Sequence, residues 1–387
     1  MNKPGMILNL DFFDWVRHRL TEKGVNPTES EFRDFIAQTA SEGFDTVYFR
    51  TSAVGKVCYP SKVMTPFDTE YRLSGSSLGD LIRQWDPLAV AVDACKKNNL
   101  MVLVWITLFD SYCIGLEDAF FAQRPDLLMR SRDGKNAMRG VPCYACEETR
   151  DYRMREAIEV SGYGADGIFY SMHSHTCCNR MTGDPEGENI FGYNPEVVLA
   201  FQQQYGIDIL NEEFDRFDLY KLQGDFLTGY LSQVKGLLNK KNQKLHATFA
   251  WEKDDGIHGT GRTMVNIGYA TGREAYPYDH MIGIHFDCEK WIGEGLVDGL
   301  AAQADFTDEI TKVKERTGGG DFYVWVYCGF DAATIKDRQP IIKDIIEQAR
   351  KDGLSGCLFH EAMSFEMYPD MWKVIKKTQA ERSLERA

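Results

Sequence analysis

The sequence lacks the features that mark membrane proteins, secreted proteins and nucleic-acid-binding proteins. No run approaches the roughly 20 apolar residues that a membrane helix needs. The first residues reach the charged Asp11 too soon for a secretory leader, so we expect a cytoplasmic protein. Lys and Arg number 44 against 58 Asp and Glu, which gives a net charge of −14. So acidic a surface repels phosphate backbones and anionic lipid, and we expect neither a nucleic-acid nor a membrane partner.

Cysteine patterns typical of zinc sites or disulfide scaffolds are also missing. The ten cysteines are scattered, and several lie inside apolar runs, which predicts reduced and mostly buried thiols. Cys143 and Cys146 have the spacing of a metal-binding pair, but no second pair follows at zinc-ribbon distance. We therefore predict no metal and no cofactor.

Linkers, low-complexity tracts and internal repeats are absent as well. Hydrophobic residues make up 43% of the 387 residues, which is enough for a large core. That length suits one or two ordinary domains, or one barrel with long loops. Because no linker divides the chain, we predict a single domain over residues 1–387.

What the sequence does contain is eight apolar segments that alternate with helical ones. Thr28 and Glu31 form a capping box, and Asp86 and Asn194 each precede a proline at a first helical position. Continuous apolar runs are typical of parallel strands buried on both faces. Eight such units favour closure into a (β/α)8 TIM barrel with long βα loops over an open sheet. The predicted strands are Met6–Leu10, Thr46–Arg50, Met101–Thr107, Gly167–Ser171, Leu245–Ala250, Val297–Ala302, Asp321–Tyr327 and Leu354–Phe359.

Several segments together resemble one family, the bacterial glycoside-hydrolase-like proteins called family 10-like glycosylhydrolases. The matching pieces include Gly43-Phe-Asp-Thr-Val-Tyr-Phe, Asp86-Pro-Leu-Ala and Trp291-Ile-Gly-Glu-Gly-Leu-Val-Asp, and they cover most of the chain in the right order. The resemblance implies a TIM barrel and a carbohydrate ligand. It carries over no carboxylate on the fourth strand, because Ser171 stands where the family usually has an acidic residue.

Carboxyl groups at the predicted strand ends indicate a glycosidase. In a TIM barrel these ends share one face, and that face holds the active site. Glycoside hydrolysis usually needs two carboxyl groups beside the scissile bond, one of them protonated. We predict Glu361 as the first and Glu252 as the second, with Asp11 as another partner for Glu361 because the first and eighth strands are neighbours. Each carboxylate could instead cap a loop or pair with an arginine.

Polar and aromatic residues near the same strand ends are predicted to bind the sugar. They are Arg50, Asp110, His173, His175, Trp251 and Tyr327. Arg50 ends an apolar strand, where a buried arginine needs an acidic partner. That partner could be an acidic sugar, or Asp11 or Glu361 in an internal ion pair. Trp105 is predicted to fill the core.

His173 and His175 leave a second interpretation open. Residues two apart on extended backbone point the same way, so these imidazoles could contact sugar hydroxyls or, with Cys177, bind zinc. The alternative functions are therefore a metal-dependent hydrolase or a sugar isomerase. A third alternative is a non-catalytic carbohydrate-binding barrel, because Ser171 replaces a carboxylate.

Overall fold

Eight parallel strands close into a barrel in the computed structural model of the chain, which describes residues 5–24, 27–53, 55–68, 72–73, 76–113, 116–172, 191–249, 262–264, 283–303, 307–328 and 332–384. The barrel strands are β1 (Gly5–Asp11), β2 (Thr46–Arg50), β3 (Met101–Thr107), β4 (Gly167–Ser171), β5 (Lys244–Phe249), β6 (Gly299–Gln303), β7 (Asp321–Tyr327) and β8 (Gly356–His360). Strand β1 pairs with both β2 and β8. The predicted TIM barrel is therefore confirmed.

Helices separate the strands along the chain. They are α1 (Phe12–Lys23), α2 (Glu29–Ser41), α3 (Leu78–Gln84), α4 (Pro87–Lys97), α5 (Ala119–Gln123), α6 (Glu147–Ser161), α7 (Pro195–Tyr205), α8 (Arg216–Asn239), α9 (Cys288–Gly293), α10 (Thr307–Thr317), α11 (Ala332–Lys351), α12 (Ala362–Met367) and α13 (Asp370–Leu384). Thr28 caps α2 in a reciprocal box with Glu31, as predicted. No described helix has the length and apolar composition to cross a membrane.

Short hairpins occupy the loops between the larger elements. They pair Ser52–Ala53 with Lys56–Val57, Arg72–Leu73 with Ser76–Ser77, Tyr112–Cys113 with Leu116–Glu117, Leu128–Arg130 with Ala137–Pro142, and Arg262–Met264 with Gly283–His285. Seven cysteines are buried, which confirms the prediction of buried thiols for them: Cys58, Cys95, Cys143, Cys146, Cys288, Cys328 and Cys357.

Strand β6 begins two residues later than predicted, at Gly299 rather than Val297. The backbone N–H groups of Leu296 and Val297 both donate to the carbonyl of Trp291, so these residues close the end of α9. Pairing with β5 then starts where Gly299 lies opposite His246.

Helix α1 has no counterpart among the predicted helices. It begins directly after β1, because Asp11 ends the strand and also caps the helix by accepting a hydrogen bond from the Asp14 N–H at 3.2 Å. Phe12, Trp15 and Val16 are buried on one side of the helix. The absence of any loop between strand and helix fixes Asp14 close to the end of β1.

The interior of the barrel is a packed core and not a pore. Its buried side chains are Ile7, Tyr48, Leu103, Trp105, Phe169, Ala301, Tyr323 and Leu358. Trp105 is fully buried, which confirms its predicted place in the core. A ligand can therefore bind only above this layer, at an end of the barrel.

Hydrogen bonds close the amino end of the barrel in an arrangement that occurs four times. The N–H of the second residue in each odd-numbered strand donates to the side chain that precedes the next strand. The four pairs are Met6 with Asp45 (2.9 Å), Val102 with Asp166 (2.8 Å), Leu245 with Asp298 (2.7 Å) and Phe322 with Ser355 (2.9 Å). In each pair the second residue returns its own N–H to the carbonyl of the first. We call Asp45, Asp166, Asp298 and Ser355 the amino-end ring; they serve the fold and leave the carboxyl end for ligands.

Candidate functional site

The carboxyl end of the barrel, which we call the mouth, brings charged residues of neighbouring strands together. Asp11 of β1 lies opposite Arg50 of β2, and Arg50 lies opposite Trp105 of β3. Residues that pair in this way face the same side of the sheet, and Trp105 belongs to the barrel interior. Asp11 and Arg50 therefore face the interior directly above the core.

Arg50 bridges two carboxylates in the mouth. Its Nη1 donates to Oδ2 of Asp11 at 2.6 Å, and its Nη2 donates to Oδ2 of Asp110 at 3.1 Å. All three side chains are buried. Burial acts to lower the pKa of Arg50, but the two aspartates raise it by more, so the guanidinium stays charged. The predicted internal ion pair with Asp11 is confirmed, and Asp110 is a second partner.

Glu361 lies in the corner between β8 and α12, with only 1% of its surface exposed. Burial raises the pKa of Glu361 well above its usual range, Asp14 and Asp11 raise it further, and Arg50 partly offsets them. Within the described residues no nitrogen donor makes a hydrogen bond to either carboxyl oxygen, and Asp14 is the neighbour instead. This environment favours the neutral, protonated acid.

Asp14 completes a group of three carboxyl groups. One oxygen atom from each of Asp11, Asp14 and Glu361 lies within 4.8 Å of the other two. Asp14 is the member that solvent reaches, with 25% of its side chain exposed. It is absent from the residues predicted for the site. The spacing of Asp11 and Asp14 as first-turn helix residues, followed by the apolar Trp15 and Val16, is the signal that could have identified it.

These three carboxyl groups could in principle hold a divalent cation, since carboxylate oxygens suit Mg²⁺ and Ca²⁺. One observation opposes that assignment: the guanidinium of Arg50 already lies 2.6 Å from Asp11 and matches its charge. In the described part of the chain no other group of three acidic, His or Cys side chains comes together in this way. We therefore assign no metal to the mouth.

Aromatic rings line another side of the mouth around His360. The ring centroid of His360 lies 5.0 Å from that of Trp325 and 6.4 Å from that of Tyr327, and Trp105 lies 5.3 Å from Trp325. Trp325 and Tyr327 are partly exposed, and the His360 side chain is 12% exposed. Trp325 is not among the predicted residues, although its place two residues before Tyr327 on β7 puts both on one face.

The predicted site residues divide into two groups. Asp11, Arg50, Asp110 and Glu361 come together in the mouth, and Tyr327 lies near them beside His360. The others, His173, His175, Trp251 and Glu252, lie outside the described residues, and their roles stay predictions.

No protein-family model matches the chain, and no curated protein matches it. Several solved structures are similar to the chain in fold. The glycoside hydrolase domain of PgaB (BpsB) from Bordetella bronchiseptica has a TM-score of 0.57 at 12% identity, over 97% of this chain and 99% of that one. A beta-galactosidase from Marinomonas ef1 has a TM-score of 0.53 at 11% identity, over 92% of this chain and 54% of that one.

A third similar structure is the catalytic domain of a beta-amylase from Paenibacillus polymyxa. Its TM-score is 0.50 at 11% identity, over 93% of each chain. Identities this low show the fold alone. What the chain shares with these proteins is the TIM-barrel fold, and the resemblance to family 10-like glycosylhydrolases stays a prediction.

Proposed function

We propose that the chain is a glycoside hydrolase whose active site is the mouth of the barrel, with Glu361 as the general acid. The observation that carries the proposal is a buried acid that favours protonation, placed beside carboxylates of which one is bound to a guanidinium. Glycosidases need this division between a protonated and an ionised carboxyl group. The three similar structures are named as carbohydrate-acting enzymes, which supports the same class.

In the proposed reaction Glu361 donates its proton to the glycosidic oxygen while the bond to the anomeric carbon breaks. Positive charge then develops on the sugar ring, and a second carboxylate faces it and bonds to the anomeric carbon. A water molecule that gives its proton to the deprotonated Glu361 then attacks this carbon, breaks the bond to the carboxylate and releases the sugar. Asp14 suits the role of the second carboxylate because it is the solvent-accessible member of the group. Both oxygens of Asp11 already accept hydrogen bonds, from the Asp14 N–H and from Arg50, so we assign Asp11 to holding the site in place. Glu252 is the partner predicted from sequence.

Substitution of Glu361 by glutamine tests the proposal, using a panel of oligosaccharides and aryl glycosides. We expect wild type to hydrolyse at least one of them and the Glu361→Gln variant to lose about 10²- to 10⁴-fold in turnover. Turnover of aryl glycosides with acidic leaving groups should fall less in this variant, because those leaving groups depart without protonation. A variant that hydrolyses like wild type would exclude Glu361 as the acid.

The chain offers a matched control in Glu156, another buried glutamate, whose pKa burial raises to about 7. It lies on α6 and pairs with Arg153 at 2.9 Å. Glu156→Gln should therefore keep its activity. Carbohydrate binding with no turnover by wild type across the panel would favour the non-catalytic barrel, and no binding at all would remove the carbohydrate proposal.

A further inference from the structure

A buried asparagine holds a histidine at the mouth. Asn9 of β1 is fully buried, and its Nδ2 lies 2.5 Å from Nδ1 of His360 on β8. The two residues are direct partners in the register of these strands. A buried amide costs free energy unless it is hydrogen-bonded, and His360 is its side-chain partner among the described residues. The asparagine in this apolar strand therefore serves to hold His360.

This contact also fixes the chemistry of the imidazole. An amide nitrogen can only donate, so Nδ1 of His360 accepts and the ring proton of the neutral imidazole lies on Nε2. The contact therefore assigns the hydrogen-bond donor of the ring to Nε2.

The surroundings of His360 match the face and the edge of a sugar ring. Trp325, 5.0 Å away between ring centroids, is partly exposed and offers an aromatic face. Glu361 follows next in the chain, with its carboxyl oxygen 3.9 Å from Nδ1 of His360. The positive charge of Arg50 is already matched by Asp11 and Asp110, so the described mouth favours an uncharged sugar over one that carries a carboxylate.

We propose that His360 binds the substrate by donating a hydrogen bond from Nε2 to a hydroxyl of an uncharged sugar ring that stacks on Trp325. Asn9 is the positioning residue that sets the imidazole for this contact. The inference rests on the proposed function, because it places the sugar beside Glu361. It adds the class of sugar and the residues that recognise it.

Binding is measured separately from catalysis by titration calorimetry on the Glu361→Gln variant. The probes are the neutral maltotriose, cellotriose, mannotriose and triacetylchitotriose and the anionic trigalacturonate. We expect at least one neutral probe to bind, and His360→Ala to weaken its binding about tenfold, the value of one hydrogen bond. Asn9→Leu should weaken binding similarly, and in the active enzyme it should raise KM more than it lowers kcat. His360→Gln, which keeps an N–H donor, should recover part of the loss.

Tyr48→Phe is the matched control. The Tyr48 hydroxyl lies 2.6 Å from Nδ1 of His246, so this variant removes the same kind of bond between two buried residues of the barrel and leaves the Asn9–His360 contact in place. It should leave binding unchanged even where it lowers the melting temperature. If Asn9→Leu does not fold, the His360 pair of variants decides the question.

The outcomes separate the inference from the proposed function. Binding within twofold of the parent in both the His360→Ala and Asn9→Leu variants overturns the inference, while loss of hydrolysis in Glu361→Gln leaves the function standing. If trigalacturonate binds as tightly as the best neutral probe, the proposed preference for an uncharged sugar is overturned. Binding without hydrolysis by wild type refutes the hydrolase alone, and absence of binding by every probe overturns both.

Discussion

Asp14 and Glu361 bring carboxyl oxygens to within 4.8 Å of each other from elements at opposite ends of the chain. Asp14 lies in the first turn of α1, and Glu361 follows β8. The pair forms because β1 and β8 are hydrogen-bonded neighbours and because α1 begins without a loop after β1. One member is buried and favours protonation, and the other contacts solvent.

The separation of this pair predicts the stereochemistry of hydrolysis. Retaining glycosidases place their two carboxyl groups about 5–5.5 Å apart, and inverting enzymes about 6.5–9.5 Å apart. Oxygens of Asp14 and Glu361 lie within 4.8 Å of each other, which is below the inverting range, so with Asp14 as the partner we expect the first product to keep the anomeric configuration of the substrate. Proton NMR during the first minutes of reaction measures this. An inverted product would instead point to another partner, and Glu252 is the one predicted from sequence.

The pH profile should respond to Asp14. After burial, Asp14 is the largest cause of the raised pKa of Glu361, so Asp14→Asn lowers that pKa. A general acid works while protonated, so activity is lost as pH rises through its pKa. We expect the alkaline limb of kcat/KM to move to lower pH in Asp14→Asn, whatever the loss in rate. Asp80→Asn, the control, changes an exposed first-turn aspartate of α3 and should leave the alkaline limb in place. If the limb does not move in Asp14→Asn either, Asp14 does not raise the pKa of Glu361.

Stability should depend on pH through Glu361 itself. Its pKa is raised in the folded chain, so above its ordinary value of 4.5 the folded state keeps a proton that the unfolded chain releases. The contribution of Glu361 to the free energy of unfolding is therefore fully present below pH 4.5, and it is lost as pH rises through the raised pKa. Glu361→Gln cannot ionise, so its melting temperature should exceed that of wild type increasingly toward alkaline pH. Parallel curves across the pH range would show that the acid is not perturbed.

Removal of Arg50 should affect both stability and activity. Arg50→Met leaves Asp11 and Asp110 buried without their guanidinium, a change that typically costs about 3–5 kcal/mol in the free energy of unfolding. Urea denaturation measures the loss, and we expect turnover to fall more than tenfold because the carboxyl group beside Glu361 loses its anchor. Arg153→Met, at a buried arginine of α6, should lose stability but keep turnover. Full turnover in folded Arg50→Met would place Arg50 outside the site.

The amino-end ring should matter for stability alone. Asp166→Ala leaves the N–H of Val102 without its side-chain acceptor, and we expect a loss of about 1–3 kcal/mol in the free energy of unfolding. Asp166→Asn keeps an acceptor oxygen and should recover part of the lost stability. Thermal melts measure both variants, and the initial rate per folded molecule should match wild type. A large rate change at this end of the barrel would contradict the separation of fold from function.

The barrel could be predicted because its strands are local patterns. Six of the eight predicted strands begin within one residue of their observed start. Strands β6 and β8 each begin two residues later than predicted, β6 because two of its predicted residues close α9. Arg50 could be predicted to need an acid, since burial alone demands one. Asp14 is absent from the predicted site because Asp11 both ends β1 and caps α1, so the one signal, its spacing from Asp14, follows an apolar run with no loop to mark a helix start. The Asn9–His360 contact spans 351 positions and becomes visible only once β1 and β8 are in register.

The amino-end ring also governs how the quarters of the barrel are joined. The carbonyl of each ring member accepts the N–H that opens the next odd-numbered strand: Met101 onto Asp45, Lys244 onto Asp166, Asp321 onto Asp298, and Gly5 onto Ser355. The junction between the last and first strands is thus built like the three internal ones. Two half-barrels divided between β4 and β5 would each keep one of these donor N–H groups and one of these acceptor carbonyls at their open edges, and would rejoin through the same contacts that close the intact barrel.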